Sequence, residues 1–180
     1  MALNNCLFFV GIKHSGKTTF ASIIASRWNY DFIDSDDLIL SETDSNSIRE
    51  LYVETGKESF MDIEADAVRK YLLRNSNNAI ISLGGGASDN DKLINILKEY
   101  GKIIYLYRNE QLILPIILKD GIPPFLDRDD ISGSFHSLFQ RRDNIYRKIS
   151  DLEIDMCEYG DKRDIADKIE KILKDNGYGL

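Results

Sequence analysis

The chain has 180 residues, of which 43% are hydrophobic and 29% charged, and its formal net charge is −7. This composition predicts one folded domain over residues 1–180, and the acidic balance disfavours a nucleic-acid binder that works through a basic surface. No apolar segment is long enough to span a bilayer, and the N-terminus lacks a signal-peptide pattern. Cys6 and Cys157 have no metal-like spacing, so we expect reduced thiols in a cytoplasmic protein.

Short apolar runs that indicate strands alternate with helical patterns along the chain. We predict strands at 6–10, 30–34, 79–83, 102–107 and 151–156. Beyond the helix that follows the first strand, we predict helices at 45–55, 59–75, 89–100, 109–118, 132–149 and 161–175. This alternation predicts an α/β fold in which helices cover both faces of a parallel sheet. Such sheets bind ligands at the carboxyl ends of their strands.

A glycine-containing loop, GIKHSGKTT at residues 11–19, follows the first strand and matches G-x-x-x-x-G-K-[ST]. Glycines let the backbone curl so that several N–H groups point at phosphate oxygens, and the next helix adds its positive dipole end. We expect Lys17 to reach the β- and γ-phosphates of a nucleotide and the Thr18 hydroxyl to ligate Mg²⁺. The predicted nucleotide-binding residues are Gly11, Ser15, Gly16, Lys17, Thr18 and Thr19.

Two carboxylates, Asp34 and Asp36, follow the second strand and should leave the sheet on the same side. They could hold the waters of a Mg²⁺ ion or accept a proton from an attacking hydroxyl. The alternative is an N-cap with first-turn acids for the helix that follows, which also explains Asp37. Because the third strand, AIISL, ends without an acidic residue, Asp34 is the candidate partner for Mg²⁺.

Three consecutive glycines, Gly84, Gly85 and Gly86, follow the third strand. They remove every side chain at a point where another group could approach the backbone closely, and their N–H groups could bind a ligand oxygen. The alternative is a tight turn between a strand and a helix.

Together, the phosphate loop, D-S-D, F-x-x-x-E, G-G-G and R-R-x-x-x-Y resemble the shikimate kinases over roughly residues 6–156. The resemblance implies a P-loop kinase with a three-layer α/β/α fold, a five-stranded parallel sheet, an acceptor-binding segment at about 35–62 and a mobile lid at about 115–130. It implies transfer of the γ-phosphoryl group of ATP to the 3-hydroxyl of shikimate, with Mg²⁺. We expect a monomer that binds these small molecules, and neither nucleic acid nor a membrane.

The resemblance also implies roles for individual residues. Lys17 and Asp36 would be catalytic, and Thr18 and Asp34 would hold the metal. The acceptor would be bound by Asp36, the glycine turn and Arg142, whose guanidinium would grip the shikimate carboxylate. Further matching or neighbouring positions are Glu64, an acid in the acceptor domain, Arg141, the less favoured arginine, and Tyr146, a packing residue. For Arg142 the alternative is a salt-bridged surface residue.

The chain departs from the family pattern at expected arginines. Met61 stands where the family has the second arginine that grips the carboxylate, and Pro123 stands where the lid arginine contacts the transferring phosphate. The segment ILPIILKDG also lacks the arginine that packs on adenine. Three hypotheses follow: a shikimate kinase in which Lys57, Lys119 or Arg128 substitutes, a kinase of another small polyol or acid, or a nucleotide-binding protein without catalysis.

Overall fold

The structure is a computed structural model that describes residues 6–75, 78–119, 121–123, 125–157 and 160–179. Its five strands are β1 Cys6–Val10, β2 Asp31–Asp34, β3 Ala79–Ser82, β4 Gly101–Tyr107 and β5 Leu152–Asp155. They form one parallel sheet in the order β2-β3-β1-β4-β5. The five predicted strands and the parallel sheet are confirmed, with strand ends that differ by at most one residue.

The helices are α1 Lys17–Trp28, α2 Ser35–Ser41, α3 Ile48–Arg74, α4 Asp91–Tyr100, α5 Glu110–Lys119, α6 Ile131–Ile149 and α7 Lys162–Asp175. A short 3-10 helix spans Ala87–Asp89. The predicted helices at 45–55 and 59–75 are the two halves of α3, which Gly56 interrupts with φ 77° and ψ 170°. The sequence periodicity gave no bounds for α2, because its seven residues are too few to display a helical repeat.

Two apolar cores cover the two faces of the sheet. Alternate residues of β1 point to opposite faces, so Phe8 lies in one core and Phe9 in the other. The Phe8 core contains side chains of α3, α4 and α6, and the Phe9 core contains side chains of α1 and α7. All five residues of β1 are buried, which explains why its sequence is uniformly apolar. The predicted three-layer α/β/α fold is confirmed.

The chain leaves β1 and β3 toward opposite faces of the sheet. After β1 it enters α1 on one face, and after β3 it enters α4 on the other face. Because β1 and β3 are neighbours, a crevice opens between their carboxyl ends, where parallel α/β sheets bind ligands. The phosphate loop and the three glycines therefore lie on either side of one crevice.

The predicted lid at 115–130 begins inside α5, which continues to Lys119. Residues 121–123 and 125–130 connect α5 to α6 without a helix or strand of their own, and residues 120 and 124 lie outside the described part. None of the helices in the described ranges combines the length and the apolar character needed to cross a bilayer.

Candidate active site

The phosphate loop has a backbone that requires glycine at two positions. Gly11 has φ 152° and Gly16 has φ 99°. A Cβ on Gly11 would lie 2.7 Å from both the Leu106 carbonyl oxygen and Ser15 Oγ, and a Cβ on Gly16 would lie 2.9 Å from the Phe20 ring. The loop between β1 and α1 is thus a close-fitting backbone cradle, as the motif predicts.

Lys17 occupies the centre of this cradle. Its side chain is 7% exposed, and its Nζ donates a hydrogen bond to the Ile12 carbonyl oxygen over 3.1 Å. Burial lowers the pKa of Lys17 to about 8, the Asp34 and Asp36 carboxylates act in the opposite direction, and Arg142 adds to the lowering. A buried ammonium with so few hydrogen bonds fits a site that receives phosphate.

Other groups of the cradle have unused hydrogen-bonding capacity. Ser15 is buried, and its Oγ has no hydrogen-bond partner among the described residues, which fits a phosphate oxygen beside it. Thr19 is exposed in the first turn of α1. Arg108, which the sequence analysis missed, donates a hydrogen bond from Nη1 to the His14 carbonyl oxygen over 3.1 Å. Arg108 directly follows β4, at the edge of the sheet where such folds bind ligands, and this position could have indicated a residue of the site.

The predicted metal-binding side chains, Thr18 at the start of α1 and Asp34 at the end of β2, lie together beside Ser82 at the end of β3. Thr18 Oγ1 donates to Asp34 Oδ2 over 3.0 Å and lies 3.1 Å from Ser82 Oγ. Asp34 Oδ1 also accepts the backbone N–H of Asp36 at the start of α2, so this carboxylate is both the N-cap and part of the cluster. The set offers only oxygen ligands, the type that Mg²⁺ prefers.

Ser82 is a second residue that the sequence analysis missed. It is 1% exposed and is the last residue of β3, the strand that lacks a terminal acid. A hydroxyl at the end of an otherwise apolar strand could have indicated a site residue, because parallel α/β sheets bind ligands at the carboxyl ends of their strands.

The glycine turn lies against both halves of the crevice. A Cβ on Gly85 would lie 3.0 Å from the Lys13 backbone nitrogen of the phosphate loop. A Cβ on Gly84 would lie 3.4 Å from Asp36 Oδ1. The missing side chains therefore let the turn fit between the phosphate loop and the carboxylate that follows β2.

Helix α6 fixes the same turn from the other side. A Cβ on Gly86 would lie 3.5 Å from Arg142 Nη2, so this arginine lies beside the turn. Tyr146 is fully buried, as expected of a packing residue, but its hydroxyl also donates to the Gly85 carbonyl oxygen and accepts the Ser88 N–H. The distances are 3.2 and 3.3 Å, so Tyr146 positions the turn as well as packing.

Arg142 forms an ion pair inside the site. Its Nη2 donates to Asp89 Oδ2 over 3.0 Å, and its Nε is buried without a hydrogen-bond partner among the described residues. Arg141 shares the same carboxylate, with Nη2 at 3.2 Å from Oδ2 and Nη1 at 3.1 Å from Oδ1. The side chain of Arg142 is 18% exposed and that of Arg141 is 52% exposed. Arg142 is therefore salt-bridged, as the alternative proposed, but it lies largely buried beside the glycine turn.

Asp36 has the electrostatic environment of a base. Burial raises the pKa of the Asp36 carboxyl above its usual value, and the Asp34 and Asp37 carboxylates raise it further. Lys17 and Lys13 act in the opposite direction. A carboxylate with a raised pKa holds a proton more readily at neutral pH than an ordinary aspartate does.

Glu64 is a buried carboxylate without a cation at hydrogen-bond distance in the described structure. It is 4% exposed, and its Oε2 accepts the Asn90 Nδ2 at 2.8 Å. The same amide nitrogen donates to the Met61 carbonyl oxygen at 2.7 Å. Burial raises the pKa of Glu64 to about 7, and the Asp36 and Asp89 carboxylates contribute to the rise. Met61 precedes Glu64 by one helical turn, where an arginine would have supplied the missing charge.

The proposed substitute cations do not join this cluster in the part of the chain that the structure describes. Lys57 and Arg128 are exposed, and Lys119 is the last residue of α5. No described contact connects any of them to Asp36 or Arg142.

Comparison with known proteins assigns the fold and the family. The family model for shikimate kinase matches residues 13–174. A shikimate kinase of Psychrobacter sp. is 32% identical over 168 residues, which cover 93% of this chain and 91% of the relative. One from Cupriavidus pinatubonensis is 31% identical over 149 residues, which cover 83% of this chain and 76% of the relative.

A solved structure gives the same result. The shikimate kinase from Acinetobacter baumannii, determined in complex with shikimate, superposes with a TM-score of 0.83 at 26% identity and covers 98% of this chain and 96% of its own. The chain belongs to the shikimate kinase family of ATP-dependent phosphotransferases, within the P-loop kinases of the nucleoside-monophosphate-kinase type.

Proposed function

We propose that this protein transfers the γ-phosphoryl group of Mg-ATP to the 3-hydroxyl of shikimate. One observation carries this proposal: Gly85 lies beside the phosphate loop, Gly84 beside Asp36 and Gly86 beside Arg142, each so near that a Cβ added to the glycine would meet its neighbour. The groups suited to a phosphoryl donor and those suited to an acidic polyol thus lie within one three-residue turn. Phosphoryl transfer depends mainly on positioning the two reactants and neutralising charge, which such an arrangement favours.

In this proposal the phosphate loop binds the donor. The loop N–H groups and Lys17 would bind the β- and γ-phosphates, and the buried Ser15 hydroxyl would contact a phosphate oxygen. Thr18 would hold Mg²⁺, with Asp34 acting through water. When bound, Mg²⁺ neutralises charge on the phosphates. Ser82 would orient the Thr18 hydroxyl.

The acceptor would bind between the glycine turn, α2 and α6. Asp36 would hold the 3-hydroxyl and take its proton as the oxygen bonds to phosphorus and ADP leaves. Arg142 would bind the carboxylate of shikimate through charge-assisted hydrogen bonds. The Acinetobacter relative, whose structure contains shikimate, supports this choice of acceptor. A monomeric state and a cytoplasmic location stay predictions.

A second candidate is a kinase of another small polyol or acid. The presence of Met61 and the Asp89–Arg142 ion pair favours it, because together they leave one partly neutralised arginine for an acceptor carboxylate. Loss of one charged hydrogen bond would weaken acceptor binding by about 1.5–3 kcal/mol.

The proposal is tested by acceptor-dependent release of ADP from Mg-ATP. Shikimate, its uncharged methyl ester, other polyols and sugar acids would be compared, and the product identified by phosphorus NMR. We expect the highest kcat/KM with shikimate and a 3-phosphate product. Absence of turnover at millimolar shikimate, in protein that binds ATP, would refute the proposal, and faster turnover of another polyol would establish the second candidate.

A further inference from the structure

The ion pair between Asp89 and Arg142 is in the site but has no part in the proposed reaction. Asp89 ends the 3-10 helix that follows the glycine turn, and its backbone N–H donates to the Gly86 carbonyl oxygen over 2.9 Å. Tyr146 ties the same turn to α6, one helical turn after Arg142. The Asp89 carboxylate is therefore held beside Arg142 from two directions.

Asp89 occupies only part of the hydrogen-bonding capacity of Arg142. The described contact is a single hydrogen bond from Nη2 at 3.0 Å, whereas Nε, on the same edge of the guanidinium, is buried and unpartnered. A carboxylate that binds an arginine well uses two parallel N–H donors. One donor of the pair is thus engaged by Asp89 and the other is left for a second anion.

Arg141 provides the counter-charge that allows Asp89 to release Arg142. It contacts both oxygens of Asp89, at 3.1 and 3.2 Å. If an acceptor carboxylate took Arg142, Asp89 would keep its pairing with Arg141 and would not be left as an unpaired buried charge.

The negative charge of Asp89 affects how favourable this end of the crevice is for an anionic acceptor. Arg142 contributes to the lowering of the Lys17 pKa, and the Asp36 and Asp89 carboxylates both contribute to the rise of the Glu64 pKa. Asp89 therefore adds negative charge beside Arg142 and near Glu64, so an anionic acceptor meets an environment that Asp89 makes less favourable.

We propose that Asp89 is a positioning residue that competes with the acceptor carboxylate for Arg142 and, balanced by Arg141, sets the affinity for anionic acceptors. This inference rests on the proposed function in that the acceptor is a small carboxylic acid bound by Arg142. Asp89 holds the guanidinium at the turn through Nη2, and an acceptor carboxylate that engages the unpartnered Nε also takes over the Nη2 hydrogen bond, so that it binds through two parallel donors.

The first test is Asp89→Asn, which retains a hydrogen-bond acceptor for Arg142 but removes the competing charge. We expect the KM for shikimate to fall roughly 3- to 10-fold with little change in kcat, and the KM for the uncharged methyl ester to stay constant. Asp91→Asn, two residues along on an exposed side chain, removes the same charge and should leave both KM values unchanged. An unchanged or higher KM for shikimate in Asp89→Asn, or equal changes for acid and ester, would overturn the inference.

The second test is Arg141→Gln, which leaves Asp89 with Arg142 alone. The KM for shikimate should rise about 2- to 5-fold, again without an effect on the ester. Because the Arg141 side chain is half exposed, this variant keeps the inference testable if Asp89→Asn does not fold. In the variant that combines Asp89→Asn with Arg141→Gln, the KM for shikimate should equal that of Asp89→Asn alone. A return of this KM to the wild-type value would indicate a long-range charge effect and overturn the inference.

Calorimetric titration of shikimate separates this inference from the proposed function. If the wild type shows no turnover but shikimate binds more tightly to Asp89→Asn, the proposed function fails and the inference stands. If the wild type turns over shikimate and Asp89→Asn has the same KM for it, the proposed function stands and the inference fails. Absence of both turnover and binding in all variants would overturn both.

Discussion

The donor and acceptor halves of the crevice are built in different ways. The phosphate-binding part of the donor half is one continuous segment, residues 11–19, whose geometry follows from its own glycines and from the helix that it begins, with Asp34 and Ser82 beside it. The acceptor half combines side chains from α2, α3 and α6 with the turn after β3. A binding loop formed by one segment keeps its geometry when the rest of the chain diverges. A pocket formed by side chains of several elements changes whenever one of those residues is replaced.

The two halves also differ in how their charges are satisfied. In the donor half, Lys17 is buried with one described hydrogen bond and the Ser15 hydroxyl with none, a state that suits an incoming polyanion. In the acceptor half, Arg142 is already paired with Asp89, and Glu64 is hydrogen-bonded to Asn90. The phosphate loop therefore keeps donors that a ligand could engage, whereas Arg142 already has an internal partner, which we propose that an acceptor displaces.

The largest effect is expected from Lys17→Met in the donor half. Transfer should fall by at least roughly 10³-fold, because charge on the γ-phosphoryl group loses its nearest cation. The unliganded protein should gain about 1–3 kcal/mol of stability, since a buried ammonium is removed. The folded pKa of about 8 lies below the usual 10.5, so wild-type stability should rise between these pH values.

Urea denaturation between pH 7 and 10.5, together with ADP release, measures both effects of Lys17→Met. Lys98→Met, the same exchange on an exposed side chain of α4, is the control and should alter neither. Retained transfer in Lys17→Met would contradict the role given to the donor half.

A smaller effect is expected from Met61→Arg in the acceptor half. The new guanidinium would lie one helical turn from Glu64 and would offer a second fork to an acceptor carboxylate. The KM for shikimate should fall roughly 10-fold.

Met61→Lys is the matched control for Met61→Arg. It adds the charge without the planar fork, and its gain should be smaller. Steady-state kinetics at saturating ATP distinguish the two, and a KM that rises in Met61→Arg would show that the pocket has another shape.

The last effect concerns stability rather than transfer and is expected from Glu64→Gln, which tests how the acceptor half tolerates a buried acid. The folded pKa of about 7 lies above the usual 4.5, so the folded state retains a proton that the unfolded chain loses. Wild-type stability should therefore fall as the pH rises through this window. The variant should be more stable by about 1–3 kcal/mol at pH 8, with a difference that shrinks toward pH 5.

Thermal or urea unfolding at several pH values measures the difference between wild type and Glu64→Gln. Glu58→Gln, on an exposed position of the same helix, should show no such pH dependence. A pH-independent difference for Glu64→Gln would mean that Glu64 is ionised throughout.

The sequence predicted the fold well because its signals are local. The uniformly apolar β1 required burial on both faces, and the glycine loop required a strand before it and a helix after it. Glu64 and Arg142 were singled out through the family resemblance, and the structure places both near the glycine turn. Their roles stay predictions.

Other features could not be predicted from the sequence because they depend on tertiary contacts. Asp89 looks like an ordinary helix-flanking acid until α6 brings two arginines to it. Ser82 looks like a polar interruption of a strand until Thr18 lies beside it. Asp34 is the N-cap of α2 and also accepts a hydrogen bond from Thr18, because its two oxygens face different partners, and its role toward Mg²⁺ stays a prediction.

The most direct test of the claim that both halves meet at one reaction centre is single-turnover transfer by Asp36→Asn. The amide retains the size of the side chain but cannot take the proton of the acceptor hydroxyl. Transfer from ATP to shikimate should slow by about 10²–10⁴-fold, while calorimetry gives dissociation constants for ATP and shikimate within about 3-fold of wild type. Transfer at the wild-type rate, or loss of ATP binding in the variant, would contradict the account.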